Sequence, residues 1–344
     1  MLKQLLNTLY VQAQGAYVRL DHETLKLEVE RELKLQVPLQ HLGGMALFGN
    51  VLVSPFLIHR FAEDGRSVAW FGTTGRFKAR LAGPTTGNVL LRRAQYEAQA
   101  DPERTASVAR SIVAGKVRNA RSVVQRAARE ADSPEDGVAL EKTARGLASV
   151  LKQLPREPGV DGIRGLEGQA GRLYFESFAA MVRAEKEAYA ISGRNRRPPR
   201  DRTNALLSFV YALVLGDCVA ACEGVGLDPQ FGYLHALRSG RPSLALDLQE
   251  ELRPILADRL ALSLINRRQL RPNDFDEREG GAVHLNDVGR KKVIVAYQKR
   301  KKEEAGHPVL DQRVPLGLVP HVQARLLARH LRGDTDVYVP FTPR

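Results

Sequence analysis

The sequence has very few cysteines and no long apolar segment. Only two of its 344 residues are cysteine, Cys218 and Cys222, so a disulfide framework is excluded and we expect a protein of the reducing cytoplasm. The most apolar segment, residues 205–216, is shorter than the roughly 20 residues that a membrane span requires. The first residues lack a signal-peptide pattern. We therefore expect no contact with a membrane.

Motifs for nucleotide-dependent chemistry are also missing. The sequence contains no P-loop, no dinucleotide-binding glycine pattern, no HExxH helix and no GxSxG elbow. ATP- and NAD-dependent reactions therefore lack support. Positive charge, in contrast, is abundant, since 52 Lys and Arg against 39 Asp and Glu give a net charge of +13. This excess indicates an anionic partner, with nucleic acid as the first candidate.

The apolar periodicity divides the chain into a β-rich part and a helical part. Alternating apolar residues on both sides of Arg31 predict paired strands, and Asp64-Gly65 predicts a second hairpin between residues 56–61 and 67–71. From Asp101-Pro102 onward, apolar residues recur at helical spacing. The helices are expected at about 102–131, 136–154, 167–191, 203–224, 243–264 and 319–332. The prediction is an α+β chain, with a small, mostly antiparallel β-rich domain at 1–95 and a larger all-α-helical domain at 96–344.

Three basic clusters lie in the helical part. They occupy the predicted helix at 102–131, the Pro-containing segment 193–202, and residues 290–302. Each cluster alone is typical of a solvated surface. Together they also fit a surface that binds phosphates, so both interpretations stay open at this point.

Carboxylates and one histidine are concentrated in residues 232–254. Asp247, Glu250 and Glu251 stand at positions i, i+3 and i+4, which predicts one shared helix face. His235 precedes them on a segment that can fold back toward this helix. Carboxylates with one imidazole suit a divalent cation such as Mg²⁺ or Mn²⁺. Acidic triplets on helices are also commonly solvated and a single histidine is often structural, so the pattern alone does not decide.

Glu167 is a further candidate, predicted near the start of a helix and followed by small residues. The small residues would allow a ligand or a second helix to approach closely. The alternative is an acid that only interacts favourably with the helix dipole.

Four segments together resemble the CRISPR-associated endonuclease/integrase, the universal large subunit of the spacer-acquisition complex. They are LEGQAGRLYF (166–175), PPRDRTNALLSFVYALV (198–214), GLDPQFGYLHALRSGRPSLALDLQEELRP (226–254) and DRLALSLIN (258–266). The resemblance implies a metal-dependent DNA endonuclease/integrase of CRISPR adaptation and antiviral defence. Such an enzyme joins the 3′-hydroxyl ends of captured spacer DNA to the CRISPR repeat by transesterification.

The resemblance also implies the residues of the site. The family's metal ligands correspond to Glu167, His235 and Glu250, which would bind Mg²⁺ or Mn²⁺. Asp247 would be a further catalytic residue, either a direct ligand or a support for one, and Glu251 a surface or structural acid. The candidates for contacts with DNA phosphates are Lys116, Arg194, Arg196, Arg197, Arg238 and Arg241.

The implied partners are double-stranded DNA, as spacer donor and as CRISPR repeat, and a second copy of the chain bound through the β-rich domain. A small companion adaptation protein would complete a heterohexamer. The basic clusters alone also fit an alternative function, a non-catalytic DNA-binding architectural subunit. A third possibility is a metal-dependent nuclease that only degrades nucleic acid.

Overall fold

The chain consists of a β-rich unit followed by a mostly helical unit, as the sequence predicts. The computed structural model describes residues 8–73, 77–81, 83, 89–195 and 198–343. Its two compact units are Met1–Gly87 and Asn88–Arg344. The division thus falls before the predicted position at 95, because a helix at Val89–Ala100 belongs to the second unit.

The first unit contains two four-stranded sheets of mixed direction. Its elements are strands β1 (Thr8–Val11), β2 (Ala16–Asp21), β3 (Thr24–Val29), β4 (Glu32–Pro38), β5 (Gly44–Phe48) and β6 (Val51–Val53), helix α1 (Pro55–Glu63), and strands β7 (Ser67–Phe71) and β8 (Phe77–Arg80). The strand orders are β1-β5-β7-β8 and β4-β3-β2-β6. The pairs β1–β5, β5–β7 and β2–β6 are parallel. The expectation of a mostly antiparallel domain is therefore wrong, because the chain crosses between sheets instead of forming only hairpins.

The predicted pairing around Arg31 is confirmed. Strands β3 and β4 pair antiparallel, and Glu30 and Arg31 between them have φ angles of 53° and 66°. Two consecutive positive φ angles are typical of the tight turn that matches strand twist. Leu25 and Leu27 of β3 point into the core of this unit.

The second predicted hairpin is wrong, because residues 56–61 belong to helix α1. The Ser54 hydroxyl caps this helix by accepting from the Leu57 backbone N–H, and Pro55 fills its first turn. Leu57 and Phe61, four residues apart, are both buried, which is the spacing of a helix face. Gly65, with a φ of 63°, ends the helix rather than forming a hairpin turn.

The second unit is mostly but not entirely helical. Its helices are α2 (Val89–Ala100), α3 (Pro102–Arg129), α4 (Pro134–Gln153), α5 (Val160–Glu176), α6 (Phe178–Met181), α7 (Arg202–Val225), α8 (Ser243–Leu252), α9 (Arg259–Asn266), α10 (Asp287–Lys302) and α11 (Val319–Leu331). A π-helical segment at Arg253–Asp258 joins α8 to α9. Two antiparallel pairs, β9–β10 (Phe275–Arg278 with Ala282–Leu285) and β11–β12 (Glu304–His307 with Gln312–Pro315), correct the all-α expectation.

Helix α3 is the central element of this unit. The Asp101 side chain caps it by accepting from the backbone N–H groups of Glu103 and Arg104, with Pro102 at the first position, as predicted. The helix packs against α4, α5 and α8. A Cβ at Gly115 would lie 2.5 Å from Pro340, so glycine permits this part of the chain to lie directly against α3.

Helix α5 begins about two turns earlier than predicted and ends at Glu176, so the predicted helix at 167–191 is wrong at both ends. Glu167 consequently lies in the middle of the helix. The helix-dipole interpretation of this acid therefore loses its basis, because that effect is confined to the first turn.

Helix α7 is long and apolar enough to cross a membrane by length and composition alone, although its apolar segment looked too short in the sequence. In the fold, 61% of its most apolar window is buried, and the helix packs against α8 and α11. Core helices of soluble proteins pass the same test, so α7 is weak evidence for a membrane.

Candidate active site

The segment that carries His235 lies directly against helix α8. A Cβ at Gly232 would lie 2.6 Å from the Ser243 carbonyl carbon and 2.7 Å from Asp247 Oδ2, so only glycine allows this approach. The backbone N–H groups of Tyr233 and Leu234 donate to Asp247 Oδ2 at 2.6 and 2.9 Å. The carboxylate therefore fixes the path of the backbone as it enters the site.

The other carboxylate oxygen of Asp247 orients the imidazole. Oδ1 accepts from the His235 backbone N–H at 2.9 Å and lies 2.7 Å from His235 Nδ1. Since a carboxylate only accepts, Nδ1 carries a proton, and in the neutral imidazole the lone pair is therefore on Nε2. Asp247 is fully buried and accepts four hydrogen bonds, two on each oxygen. Its contacts are those of a support for His235.

Glu250 lies one turn further along the same face of α8. Its Oε1 is 3.8 Å from His235 Nε2 and accepts from Arg253 at 2.5 Å, while Oε2 is 2.6 Å from the Lys116 ammonium. Burial raises the pKa of Glu250, but the positive charges of Arg253 and Lys116 outweigh burial and hold this pKa below its ordinary value. The carboxylate is therefore ionised beside the imidazole.

Lys116 joins Glu250 to Glu167. Its ammonium also contacts Glu167 Oε1, so this cation from α3 lies between carboxylates from α5 and α8. Burial lowers the pKa of Lys116, and the two glutamates raise it further than burial lowers it. The structure therefore links Glu167 to Glu250 through the largely buried side chain of Lys116, and Glu250 in turn lies beside His235 and its support Asp247, whereas the sequence interpretation had placed Lys116 along DNA.

The prediction that Glu251 shares the face of Asp247 and Glu250 is wrong. The Glu251 carboxylate makes its contacts with the C-terminal part of the chain instead, where it accepts hydrogen bonds from Tyr338 at 2.5 Å and from the Phe341 backbone N–H at 2.6 Å. It is fully buried, and burial raises its pKa to about 7. Glu251 is thus a structural acid, not a surface acid.

Arg253, which the sequence interpretation did not select, completes the charged layer beside Glu250. Its guanidinium lies 4.6 Å from the centre of the Tyr211 ring, and the Tyr211 hydroxyl donates to Asp258 at 2.6 Å. The spacing of Glu250 and Arg253, i and i+3 on a helix, was the signal that could have identified this ion pair.

The arginines predicted to contact DNA have different surroundings. Arg194 donates to Asn204 at 2.6 Å and lies 5.2 Å from the Tyr211 ring, so its guanidinium is engaged within the fold. Arg196 and Arg197 lie outside the described residues. Arg238 is exposed on the segment after His235, and the Arg241 backbone N–H donates to the Arg238 carbonyl in a turn.

The basic cluster at 290–302 is also partly internal. Arg290 is buried and donates to the Leu285 carbonyl at 2.7 Å, and buried Lys301 pairs with Asp217 at 2.9 Å. A uniformly solvated or DNA-facing cluster is therefore wrong for these two residues, whose charges fix α10 to its neighbours.

The donor set is suited to a hard divalent cation, although the described residues hold no group of three His, Cys, Asp or Glu side chains arranged as a formed metal site. Glu250 Oε2 is buried and accepts no hydrogen bond of good geometry; its neighbour is the ammonium of Lys116. His235 Nε2 is free of the Asp247 contact. The candidate ligands are the carboxylates of Glu167 and Glu250 and the imidazole of His235. Asp247 holds this imidazole through Nδ1, as carboxylates commonly do for metal-binding histidines. A cleft of about 920 Å³ beside His235, lined also by the start of α5, gives access from solvent.

Comparison with known proteins identifies relatives over nearly the whole chain. The family model described as CRISPR associated protein Cas1 matches residues 9–299. The chain is 61% identical over 340 residues to CRISPR-associated endonuclease Cas1 1 of Moorella thermoacetica, covering 99% of both chains. It is 50% identical to CRISPR-associated endonuclease Cas1 2 of Rhodospirillum rubrum, again over 99% of both chains.

Solved structures share the fold at lower sequence identity. A Cas1 protein from Thermotoga maritima superposes with a TM-score of 0.82 at 24% identity, over 98% of this chain and all of that one. A casposase bound to its integration product superposes with a TM-score of 0.84 at 21% identity, over 97% of this chain and 93% of that one. These two likenesses support the β-rich and helical architecture described above.

Proposed function

Because the chain belongs to the Cas1 family of CRISPR-associated proteins, we propose that it is a divalent-metal-dependent DNA endonuclease and integrase of CRISPR adaptation. Relatives at 61%, 50% and 45% identity are named CRISPR-associated endonucleases, which supports a nuclease or integrase of this system. The finer proposal is that the chain joins the 3′-hydroxyl ends of captured DNA to the CRISPR repeat.

The observation that carries the proposal is the relation between His235 and the two acids of α8. Asp247 holds Nδ1, so that Nε2 is presented at 3.8 Å from Glu250 Oε1. Glu167 contacts the Lys116 ammonium, which also lies 2.6 Å from Glu250 Oε2. Glu167, His235 and Glu250 would hold Mg²⁺ or Mn²⁺, with Asp247 as the support of the histidine. Bound there, the metal would supply Lewis-acid stabilisation of the charge that develops on phosphate oxygens.

The reaction balances without a nucleotide cofactor. The oxygen of a 3′-hydroxyl attacks a phosphorus of the repeat; one P–O ester bond forms as another breaks, and the leaving 3′-oxygen takes up a proton as the attacking hydroxyl loses one. The chain's own task is to bind and orient the phosphate. Lys116 and Arg253 supply largely buried positive charge beside Glu250, and exposed Arg238 follows His235 by three residues along the chain. This chemistry agrees with the absence of a P-loop.

The partners belong to the same proposal. We expect double-stranded DNA as donor and target, a homodimer, and a small companion adaptation protein that completes a heterohexamer in the cytoplasm. Solved relatives of similar fold include a Cas6-RT-Cas1–Cas2 complex and a Cas1–DNA complex. Leu33 and Leu35 on the edge strand β4 are exposed, which supports a dimer interface on the β-rich unit.

The test is a strand-transfer assay with conservative variants. The donor is a short duplex with free 3′-hydroxyls, and the target is a supercoiled plasmid that carries the CRISPR repeat, with Mn²⁺ or Mg²⁺ and with a chelator as comparison. Glu167→Gln and His235→Ala should abolish metal-dependent joined products. Glu176→Gln, an exposed acid on the same helix α5, is the matched control and should retain them. Glu250→Ala is avoided, because it would leave the largely buried Arg253 without its carboxylate partner and Lys116 with only one of its two.

The products distinguish the functions. DNA binding without any metal-dependent product would establish the architectural alternative, and cleavage without joining would establish a degrading nuclease. Joined products that survive Glu167→Gln and His235→Ala would refute the assignment of the site.

A further inference from the structure

A second concave site lies on the helical unit, apart from the candidate active site. It is a pocket of about 380 Å³ between the C-terminal half of α3, the residues that follow α6, helix α9 and the end of α10. Two acids, Glu130 and Glu303, also line it. Its five arginines are Arg126, Arg183, Arg259, Arg267 and Arg300. Five cations against two anions leave the lining, called here the arginine pocket, with an excess of positive charge.

Both acids of the arginine pocket are already paired. Glu130 accepts from Arg126 at 2.8 Å and lies 3.7 Å from an Arg183 guanidinium nitrogen. Glu303 pairs with Arg300. The two acids therefore contact three of the arginines and neutralise at most two of the five positive charges, and they do so at the walls of the pocket.

The other two arginines, Arg259 and Arg267, have no hydrogen-bond or ion-pair partner for their guanidinium groups within the described part of the chain. Arg259 is half-buried, whereas Arg267 is exposed at the rim. Burial lowers the pKa of Arg259, and the charges of Arg300 and Arg126 lower it further than Glu303 and Glu130 raise it. A half-buried cation that faces other cations is stabilised when an anion binds between them.

The walls of the pocket are held in place by direct hydrogen bonds. The Asn266 side chain donates to the Met181 carbonyl at 2.9 Å and accepts from the Arg183 backbone N–H at 2.8 Å. These bonds tie α9 to the segment after α6. The arginines are therefore presented from a preformed frame, which lowers the entropic cost of binding a ligand.

The arginine pocket shares its elements with the candidate active site. Lys116 and Arg126 are ten residues apart on α3 (126 − 116), which is about 15 Å along the helix axis. Arg259 follows Glu250 on the continuous run from α8 through the π-helical segment into α9.

We propose that the arginine pocket binds a backbone phosphate of the DNA substrate, with Arg259 as its central contact. The proposal rests on the proposed function, because it takes DNA as the substrate. Guanidinium forks match the oxygens of a phosphate group better than lysine does. Phosphate is the shared chemistry, so free inorganic phosphate is the competing source.

The test measures DNA affinity as a function of salt. Binding of a labelled duplex to the full-length protein is followed by fluorescence anisotropy between about 50 and 200 mM KCl, with a chelator present so that no chemistry occurs. Each phosphate contact adds about 0.9 to the slope of log affinity against log salt, so Arg259→Gln should lower the slope by about 1. Affinity at the lower salt concentration should fall about 3- to 10-fold.

One control variant and one further test variant accompany Arg259→Gln. Arg329→Gln removes the same charge from an exposed position on α11 and should leave the slope unchanged. Arg267→Gln, at the exposed rim, should lower the slope in the same direction as Arg259→Gln. Because Arg259 has no described partner to lose, its variant should retain the wild-type circular dichroism spectrum and unfolding temperature.

The outcomes separate this inference from the proposed function. Suppose that Arg259→Gln has the same slope of log affinity against log salt as the wild type, and that the wild-type protein performs strand transfer. This result would refute DNA binding by the arginine pocket and would leave the enzyme assignment unaffected. If the wild type gives no joined products but Arg259→Gln lowers the salt slope, only the enzyme assignment is refuted. Thermal stabilisation by inorganic phosphate that needs Arg259, together with an unchanged DNA slope, would assign the pocket to free phosphate and refute the DNA proposal.

Discussion

Asp247→Asn tests how the candidate site is built. The carboxylate accepts two hydrogen bonds on each oxygen, and three of the four come from the backbone N–H groups of Tyr233, Leu234 and His235. An amide of the same shape has one oxygen and one NH₂ group, so it cannot accept all four. The cheaper orientation keeps the oxygen toward Tyr233 and Leu234 and turns NH₂ toward His235.

In that orientation two things change at His235. Its backbone N–H loses an acceptor inside the protein, which costs about 2–3 kcal/mol for a charge-assisted bond. Its ring must now accept at Nδ1, so the proton moves to Nε2 and the lone pair directed toward Glu250 disappears. We therefore expect the free energy of unfolding to fall by about 2–3 kcal/mol and the affinity for Mn²⁺ to fall about 10- to 100-fold or more.

The measurements are urea unfolding, followed by the circular dichroism of the helices, and calorimetric titration with Mn²⁺. Circular dichroism is required because the single tryptophan, Trp70, lies in the β-rich unit. His235→Ala keeps the backbone bonds to Asp247, so it should lose Mn²⁺ affinity while the free energy of unfolding changes by less than about 1 kcal/mol. Glu176→Gln, at an exposed acid on α5, should change neither quantity. Wild-type stability and wild-type Mn²⁺ affinity in Asp247→Asn would refute this account of the hydrogen bonds.

Two further predictions concern other parts of the chain. Burial raises the pKa of Asp258 to about 6, so the folded protein binds a proton at this carboxyl more tightly than the unfolded chain does. As the pH rises from about 4 to 7, the free energy of unfolding of the wild type should therefore fall by about 3 kcal/mol relative to that of Asp258→Asn. Parallel pH profiles of the two proteins in urea unfolding would contradict this. Glu30 and Arg31 have positive φ angles, so replacing them with Asn and Gly should stabilise the β-rich unit by about 1 kcal/mol. The measurement is tryptophan fluorescence during urea unfolding. An unchanged or lower unfolding midpoint would show that the turn carries no strain.

Local signals in the sequence were sufficient where one short segment determines the structure. Asp101-Pro102 fixed the start of α3, and the alternation around Arg31 fixed the β3–β4 pair. The Asp64-Gly65 step was misinterpreted, because the same dipeptide also follows a helix end, and the Ser54-Pro55 cap upstream was the competing signal. The two small β-pairs of the helical unit are too short to produce a clear alternation.

Some residues of the candidate site could likewise be predicted from local spacing, whereas the positions of others depend on tertiary packing. The i, i+3 spacing correctly placed Asp247 and Glu250 on one face, but only tertiary packing shows that the Glu251 carboxylate is engaged by Tyr338 rather than by the site. The position of Lys116 between Glu167 and Glu250 depends on how α3, α5 and α8 pack. No spacing within a single helix contains that information, so a basic residue on a long helix was assigned to the surface.

The buried contacts of Glu251 make residues 338–341 part of the alignment of the active site. Glu250 and Glu251 are neighbours on α8, so any rotation of the helix about its axis displaces both carboxylates together. Side-chain ends lie about 5–6 Å from a helix axis, so a rotation of about 10° moves a carboxylate by about 1 Å. A misplacement of this size can cost about 100-fold in rate. The hydrogen bonds from Tyr338 and the Phe341 backbone to Glu251 therefore restrict rotation of α8 about its axis, and this keeps Glu250 in position.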